Sequence, residues 1–468
     1  MTAQQFVSPN EIRARFSHAM SDMYQKEVPL YGDLLELVAE TNRQVLREDA
    51  ALAHQLQITG EIARLAMERH GAIRVGTAAE LATLRRLFSV MGMQPVGYYD
   101  LAVAGVPVHS TAFRAVHEDA LQASPFRVFT SLLRLELIDN AELRELAQRL
   151  LARRRIFTER ALELIVLHEA QGGLDDAQAQ EFVEQALETF RWHSKATVSA
   201  AEYQQLHDQH RLIADVVAFK GPHINHLTPR TLDIDRVQQA MPGHGITPKA
   251  VIEGPPPRRR PILLRQTSFK ALEESVDFVE HDGSATAGHH TARFGEIEQR
   301  GVALTPKGRA LYDRLLQATN DALQAPPSEK NAERYNQLLA ENFQAFPDDY
   351  ATLREQQLAW FRYFPTECGL AAKESLDKHS SLEQLIEKEY IRFQPLVYED
   401  FLPVSAAGIF QSNLGDSSHA QYNAASSRAA FEQALGAEVI DELGLYRQTQ
   451  QRSLAACAQA LGLNALEG

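Results

Sequence analysis

Val96-Gly97-Tyr98-Tyr99-Asp100-Leu101-Ala102-Val103, then Val106-Pro107-Val108-His109-Ser110-Thr111-Ala112-Phe113-Arg114, breaks a helical texture that runs from the start of the chain. β-Branched and aromatic residues cluster around a short Gly-containing turn, which reads as two strands of one hairpin. Working back, residues 9–67 carry apolar positions at helical spacing (Leu34, Leu35, Val38; Val45, Leu46; Leu52, Leu56), after a Ser8-Pro9-Asn10-Glu11 start. A helix over 76–91 has Thr77 as its N-cap. Working forward, Phe126–Leu133 is a third strand, and residues 140–215 form a helical insertion. Strand texture returns near 223–227, at Ile262–Lys270 and from His290 through Leu304, with His281–Gly288 read as a flexible loop. Residues 306–395 and 428–462 are mainly helical and are expected to pack on the central sheet. Clustered strands interrupted by long helical blocks indicate an α+β protein with a central mixed or antiparallel sheet, 1–468 forming a single elaborated unit.

The chain has 468 residues, 44% hydrophobic, with a formal net charge of −14 and a pI near 5.7. An anionic surface argues against nucleic acid and anionic membrane as partners, while a few buried arginines can still reverse the field locally. Cys368 and Cys457 are too few for a disulfide scaffold, are read as inert core thiols, and fit a reducing cytoplasm. No signal peptide is read at the N-terminus, and no run of about 18 apolar residues predicts a membrane span.

Three distant segments hold the chemistry: Glu68-Arg69-His70-Gly71-Ala72-Ile73-Arg74, Pro222-His223-Ile224-Asn225-His226-Leu227-Thr228-Pro229 and Arg293-Phe294-Gly295-Glu296-Ile297-Glu298-Gln299-Arg300-Gly301. Two histidines and a carboxylate with the remaining positions open suit a non-haem Fe(II) oxygenase. In an extended segment Glu296 and Glu298 share a face, as do His70 and Arg74, whereas His223 and His226 diverge, so one of the latter pair is a ligand and the other structural. Taken singly, each residue also has a plainer reading as a solvated glutamate, a hydrogen-bonded core histidine or a surface arginine.

Together with Phe401-Leu402-Pro403-Val404-Ser405-Ala406-Ala407-Gly408-Ile409-Phe410, these segments resemble the 2-oxoadipate dioxygenase/decarboxylase (hydroxyglutarate synthase) family over essentially the whole chain. The resemblance implies a vicinal-oxygen-chelate-like fold, a curled mixed sheet around a metal site with large helical insertions and a helical C-terminal region. It implies Fe(II) held by His70, His226 and Glu296, the last chosen over its neighbour Glu298. It also implies a substrate arginine at Arg74 and a substrate-closing loop containing Val404 and Ser405. The implied partners are a 2-oxo dicarboxylic acid and dioxygen. The implied reaction converts 2-oxoadipate to 2-hydroxyglutarate and carbon dioxide, in lysine catabolism.

Rival readings are a zinc-dependent hydrolase or isomerase on the same ligands, and a non-catalytic protein that binds an anion through Arg74 and Arg127. Arg258-Arg259-Arg260 is read as a solvated loop rather than a phosphate-binding patch. His289 and His290, adjacent on a strand, are read as surface residues. His109 is a candidate to line the pocket, and Tyr98, Tyr99 and Arg127 are candidates to reach a substrate.

Overall fold

The hairpin that broke the helical texture lies toward one edge of a mixed sheet. In the computed structural model, which describes residues 6–325, 327–402 and 424–466, the strands are β1 (Arg69–Val75), β2 (Gln94–Asp100), β3 (Val108–Arg114), β4 (Arg127–Leu133), β5 (His226–Pro229), β6 (Leu264–Ser268), β7 (Glu273–Val279), β8 (Ala285–Thr291) and β9 (Phe294–Arg300). Seven of them form one sheet in the order β2-β3-β4-β1-β5-β9-β6. β1 runs parallel to β4 and antiparallel to β5, and β5 runs parallel to β9. The sheet is curled, mixed and surrounded by helices, as the α+β reading expected.

Contacts divide the chain into two compact units. The first is drawn from Met1–Glu253, Gln266–Gln299 and Phe401–Ile440. Alternation along β1 sends Ile73 and Val75 into a buried cluster with Leu84, Leu87 and Phe88 of the helix Ala78–Val90. That helix starts where the sequence placed it: the Glu80 amide donates to the Thr77 hydroxyl and the Thr77 amide to the Glu80 carboxylate, a reciprocal capping box. The first helix, Pro9–Glu27, has the expected Ser8 cap and buries Ile12, Phe16, Met20 and Tyr24 at helical spacing. The hydroxyl of Tyr24 sits 3.0 Å from the carbonyl of Asn225 and 2.8 Å from that of Phe294, donating to this pair. One helix thereby ties together the entries to β5 and β9. The stretch read as a helical insertion contains the helices Ala141–Arg153, Glu159–Gln171, Asp176–Leu187, Ala200–Gln209 and Arg211–Val217.

Three sequence expectations fail here. The segment read as a flexible loop at 281–288 is the turn and first half of β8, which pairs antiparallel with β7 along its whole length. The ribbon escaped detection because its apolar content is nearly confined to Val276 and Phe278, while Glu273, Ser275, Asp277 and Val279 face solvent. The long strand read from His290 to Leu304 is therefore two strands, β8 and β9. His290, read as surface, is only 1% exposed, although His289 beside it is exposed.

The second unit is drawn from Gly254–Arg265, Arg300–Asp400 and Asp441–Gly468. Its antiparallel ribbon of β10 (Phe361–Pro365) and β11 (Ile391–Pro395) packs on the helix Glu442–Leu461, whose Gln450 and Ser453 side chains accept from the amides of Phe361 and Tyr363. Arg258 does not belong to a solvated loop: its guanidinium donates to the carbonyls of Phe346 and Pro347 and lies over the Phe346 ring. Cys457 is buried as expected, but Cys368 is exposed. A cleft of about 1030 Å³ in this unit is lined by Arg354, Trp360, Tyr363 and Gln450, and by none of the candidate ligands. No helix among the described residues is long and apolar enough to cross a membrane.

Gly295 on β9 has its α-carbon against the Phe269 ring: a β-carbon there would collide with that ring and approach Leu34 Cδ2 to 3.0 Å. Gly295→Ala should therefore destabilise the protein by about 1–3 kcal/mol through overpacking, seen as a lowered midpoint in chemical unfolding. An unchanged midpoint would show that the Phe269 ring yields freely.

Candidate metal and substrate site

Register places the ligand candidates in one row. His70 on β1 lies opposite Thr228 on β5, and the parallel pairing of His226 with Phe294 and Leu227 with Gly295 carries Thr228 alongside Glu296 on β9. His226 stands two residues back on the same face of β5. Carboxylate and imidazole atoms of His70, His226 and Glu296 all lie within 4.8 Å of one another, and all three residues are buried. His223, the other histidine of its segment, turns away to Asn225 and Asp215, as the alternation of an extended chain required.

Hydrogen bonding distinguishes the two glutamates. Glu296 Oε1 lies 3.0 Å from His70 Nε2 and accepts from the Thr228 hydroxyl and the Gln266 amide, each at 2.9 Å. Glu296 Oε2 has no hydrogen-bond partner among the described residues, nor has either ring nitrogen of His226. Leaving such buried atoms unmade costs about 1–3 kcal/mol each, which a coordinated cation would offset. Glu298 Oε2 instead lies 2.8 Å from His70 Nδ1, an ion-pair contact whose angle falls outside hydrogen-bond geometry. A carboxylate on Nδ1 fixes the ring so that Nε2 faces the other two ligands, the usual outer support of a metal-bound histidine.

Burial holds the His226 imidazole well below its ordinary pKa, with His70 and Arg74 adding to the effect, so it is neutral and ready to coordinate. Burial also acts to depress His70, but Glu298 and Glu296 outweigh it and the net shift is upward. Burial pushes the Glu296 carboxyl above its usual range against the pull of His70. The two-nitrogen, one-oxygen donor set fits Fe(II) and also zinc.

Arg74 emerges on the face of β1 that carries His70, with its Nη1 2.7 Å from Asp215 Oδ2. Arg127, the β4 partner of His70 in register, is fully buried and donates to Glu68 at 2.8 Å. Arg64 and Arg230 also reach Glu68, and Arg230 reaches Glu61. Phe401 packs edge-on against His70, centroids 4.9 Å apart. Val404 and Ser405 lie outside the described residues. His109 is buried beside Tyr98 and Phe431, with its pKa lowered to about 4 by burial and by Arg134. The Tyr99 hydroxyl accepts from the Phe401 amide. Sequence reasoning did not single out Gln266, Asp215, Glu61 or Glu68. Glu68 sat in a quoted segment at the alternation position of His70, a signal that was available; Gln266 and Asp215 had none, since only the tertiary pairing brings them here.

Two histidines and a glutamate presented by three adjacent strands of a curled mixed sheet form a candidate site for one metal ion, a donor set that oxygenases and hydrolases both use. The comparisons narrow the class. The family model for 2-oxoadipate dioxygenase/decarboxylase matches residues 16–413. The chain is similar to the 2-oxoadipate dioxygenase/decarboxylase of Pseudomonas putida, at 68% identity over 466 residues and all of both chains. It is similar to that of Escherichia coli at 57% identity, over 96% of this chain and 98% of the relative. Its structure matches the crystal structure of the hydroxyglutarate synthase from Pseudomonas putida in complex with 2-oxoadipate with a TM-score of 0.91, at 66% identity, over 98% of this chain and 100% of the other. This chain belongs to the 2-oxoadipate dioxygenase/decarboxylase family.

Metal titrations under anaerobic conditions should order the ligands. His70→Ala or His226→Ala should abolish Fe(II) binding with circular dichroism unchanged, Glu296→Gln should weaken it strongly, and Glu298→Gln should weaken it by about 10–100-fold. A larger loss for Glu298→Gln than for Glu296→Gln would move the ligand to Glu298.

Proposed function

We propose that this chain converts 2-oxoadipate and dioxygen to 2-hydroxyglutarate and carbon dioxide, with Fe(II) held by His70, His226 and Glu296. The observation that carries the reading is the set of buried, mutually close donor atoms in a chain of this family, with His226 and Glu296 Oε2 lacking hydrogen-bond partners among the described residues. Bound Fe(II) would activate dioxygen, whose four electrons come from the substrate itself, two from loss of C1 as carbon dioxide and two from hydroxylation of carbon. The carbon, hydrogen and oxygen of 2-oxoadipate plus dioxygen equal those of 2-hydroxyglutarate plus carbon dioxide, so no second 2-oxo acid is consumed.

The chain's own residues have distinct tasks. Glu298, on His70 Nδ1, keeps that ring oriented. Thr228 and Gln266 hold one Glu296 oxygen and leave the other to coordinate. Arg74 grips the distal carboxylate, for which a guanidinium fork offers two parallel charge-assisted hydrogen bonds. Arg64, Arg127 and Arg230 around Glu61 and Glu68 leave a surplus of one positive charge behind the His70 strand, which favours a dianion inside an otherwise acidic protein. Val404 and Ser405, outside the described residues, are the further substrate-binding residues that the family resemblance implies. Two free cysteines support a cytoplasmic location, and a role in lysine breakdown is what the resemblance implies.

Protein reconstituted anaerobically with Fe(II) should consume one equivalent of dioxygen per 2-oxoadipate and yield 2-hydroxyglutarate by mass spectrometry. Turnover with zinc and no oxygen uptake would replace this reading with the hydrolase or isomerase. Arg74→Ala should raise KM for 2-oxoadipate by about 10–100-fold, the worth of a lost charge-assisted pair, with Fe(II) retained; an unchanged KM would assign the distal carboxylate to another group.

A further inference from the structure

Arg74 reaches its position on a long, flexible side chain, and a guanidinium that measures substrate length has to be held still. Asp215, near the end of the helix Arg211–Val217, takes its Nη1 at 2.7 Å, and both side chains are over nine-tenths buried. The other oxygen of Asp215 lies 2.8 Å from His290 Nε2, and His290 Nδ1 lies 2.7 Å from the Tyr203 hydroxyl. An ionised Asp215 can only accept, which puts a proton on Nε2, and the Tyr203 hydroxyl is the hydrogen-bond partner of Nδ1. The indole of Trp192 stacks on the His290 ring, centroids 6.0 Å apart and planes within 9°. Asp215 also faces His223 at 3.4 Å and the amide of Asn225 at 3.4 Å. Burial acts to raise the Asp215 pKa, but His223, His290 and Arg74 together hold it well below the carboxylate range, so it stays an anion.

We propose that Asp215 is the positioning residue for Arg74, and that the chain Tyr203–His290–Asp215 sets the distance from the metal ligands at which the distal carboxylate of the substrate is gripped. This inference rests on the reading of Arg74 as the substrate arginine. It gives the β7–β8 ribbon a task in substrate selection, because that ribbon delivers His290 to Asp215. Asp215 does not touch the reacting atoms. It acts on affinity for the far end of the substrate, and its loss spares the 2-oxo acid end.

The test compares Asp215→Asn and Arg74→Ala holoenzymes, under anaerobic calorimetry, with 2-oxoadipate and with 2-oxohexanoate, which keeps the 2-oxo acid and replaces the distal carboxylate by a methyl group. In Asp215→Asn the Kd for 2-oxoadipate should rise about tenfold, that for 2-oxohexanoate by less than about twofold, and kcat should stay within about threefold. The double variant should be no worse than Arg74→Ala. Equal losses on both acids would reduce Asp215 to a structural role, and an unchanged 2-oxoadipate Kd beside a large loss in Arg74→Ala would overturn this inference alone. An unchanged Kd in Arg74→Ala would overturn the grip and the inference together. Should Asp215→Asn fail to fold, Tyr203→Phe, which removes only the remote donor, should raise the Kd for 2-oxoadipate by about two- to fivefold with 2-oxohexanoate unaffected; unchanged discrimination in that variant overturns the proposal.

Discussion

A carboxylate and two imidazoles buried side by side on one face of a sheet set the terms for the rest of the catalytic unit. Such groups are costly to remove from water unless they meet one another or a cation. The chain satisfies them by register. β1, β5 and β9 are neighbours, so His70, Thr228 and Glu296 fall into a row and His226 comes within reach. Thr228, Gln266 and Glu298 then take up the lone pairs and protons that a cation would leave over.

The same constraint explains what was legible in the sequence. Alternation alone put Glu296 and Glu298 on one face and separated His223 from His226, because the two-residue period of a strand needs no tertiary information. The helix cap at Thr77 was equally local. Choosing Glu296 over Glu298 was not: both lie on the same face and both approach His70, and only their different partners in space separate a ligand candidate from its support. The ribbon of β7 and β8 was missed because a two-stranded element with one wet face carries too few apolar residues to announce itself, and with it went the burial of His290.

Charge is distributed with similar economy. The acidic chain keeps its arginines near the site from acting as loose cations by pairing them with buried carboxylates: Arg74 with Asp215, and Arg127 and Arg230 with Glu68. Pairing costs some attraction for an anion and gains fixed geometry. In a low-dielectric interior, fixed geometry matters more, since a misplaced guanidinium contributes little to holding a dicarboxylate at both ends.

The Tyr24 hydroxyl, shared between the carbonyls of Asn225 and Phe294, has a consequence for the order in which the protein is made. Residue 24 leaves the ribosome early, and its acceptors follow about two hundred and two hundred and seventy residues later. Until β9 is synthesised, Tyr24 has only the first of its two acceptors and the candidate site lacks its carboxylate. Closure of this unit is a late, long-range event of the kind that folds slowly. A metal ion at His70, His226 and Glu296 would find its full donor set only once residue 296 has been made, so it would join a fold already under way and not nucleate it.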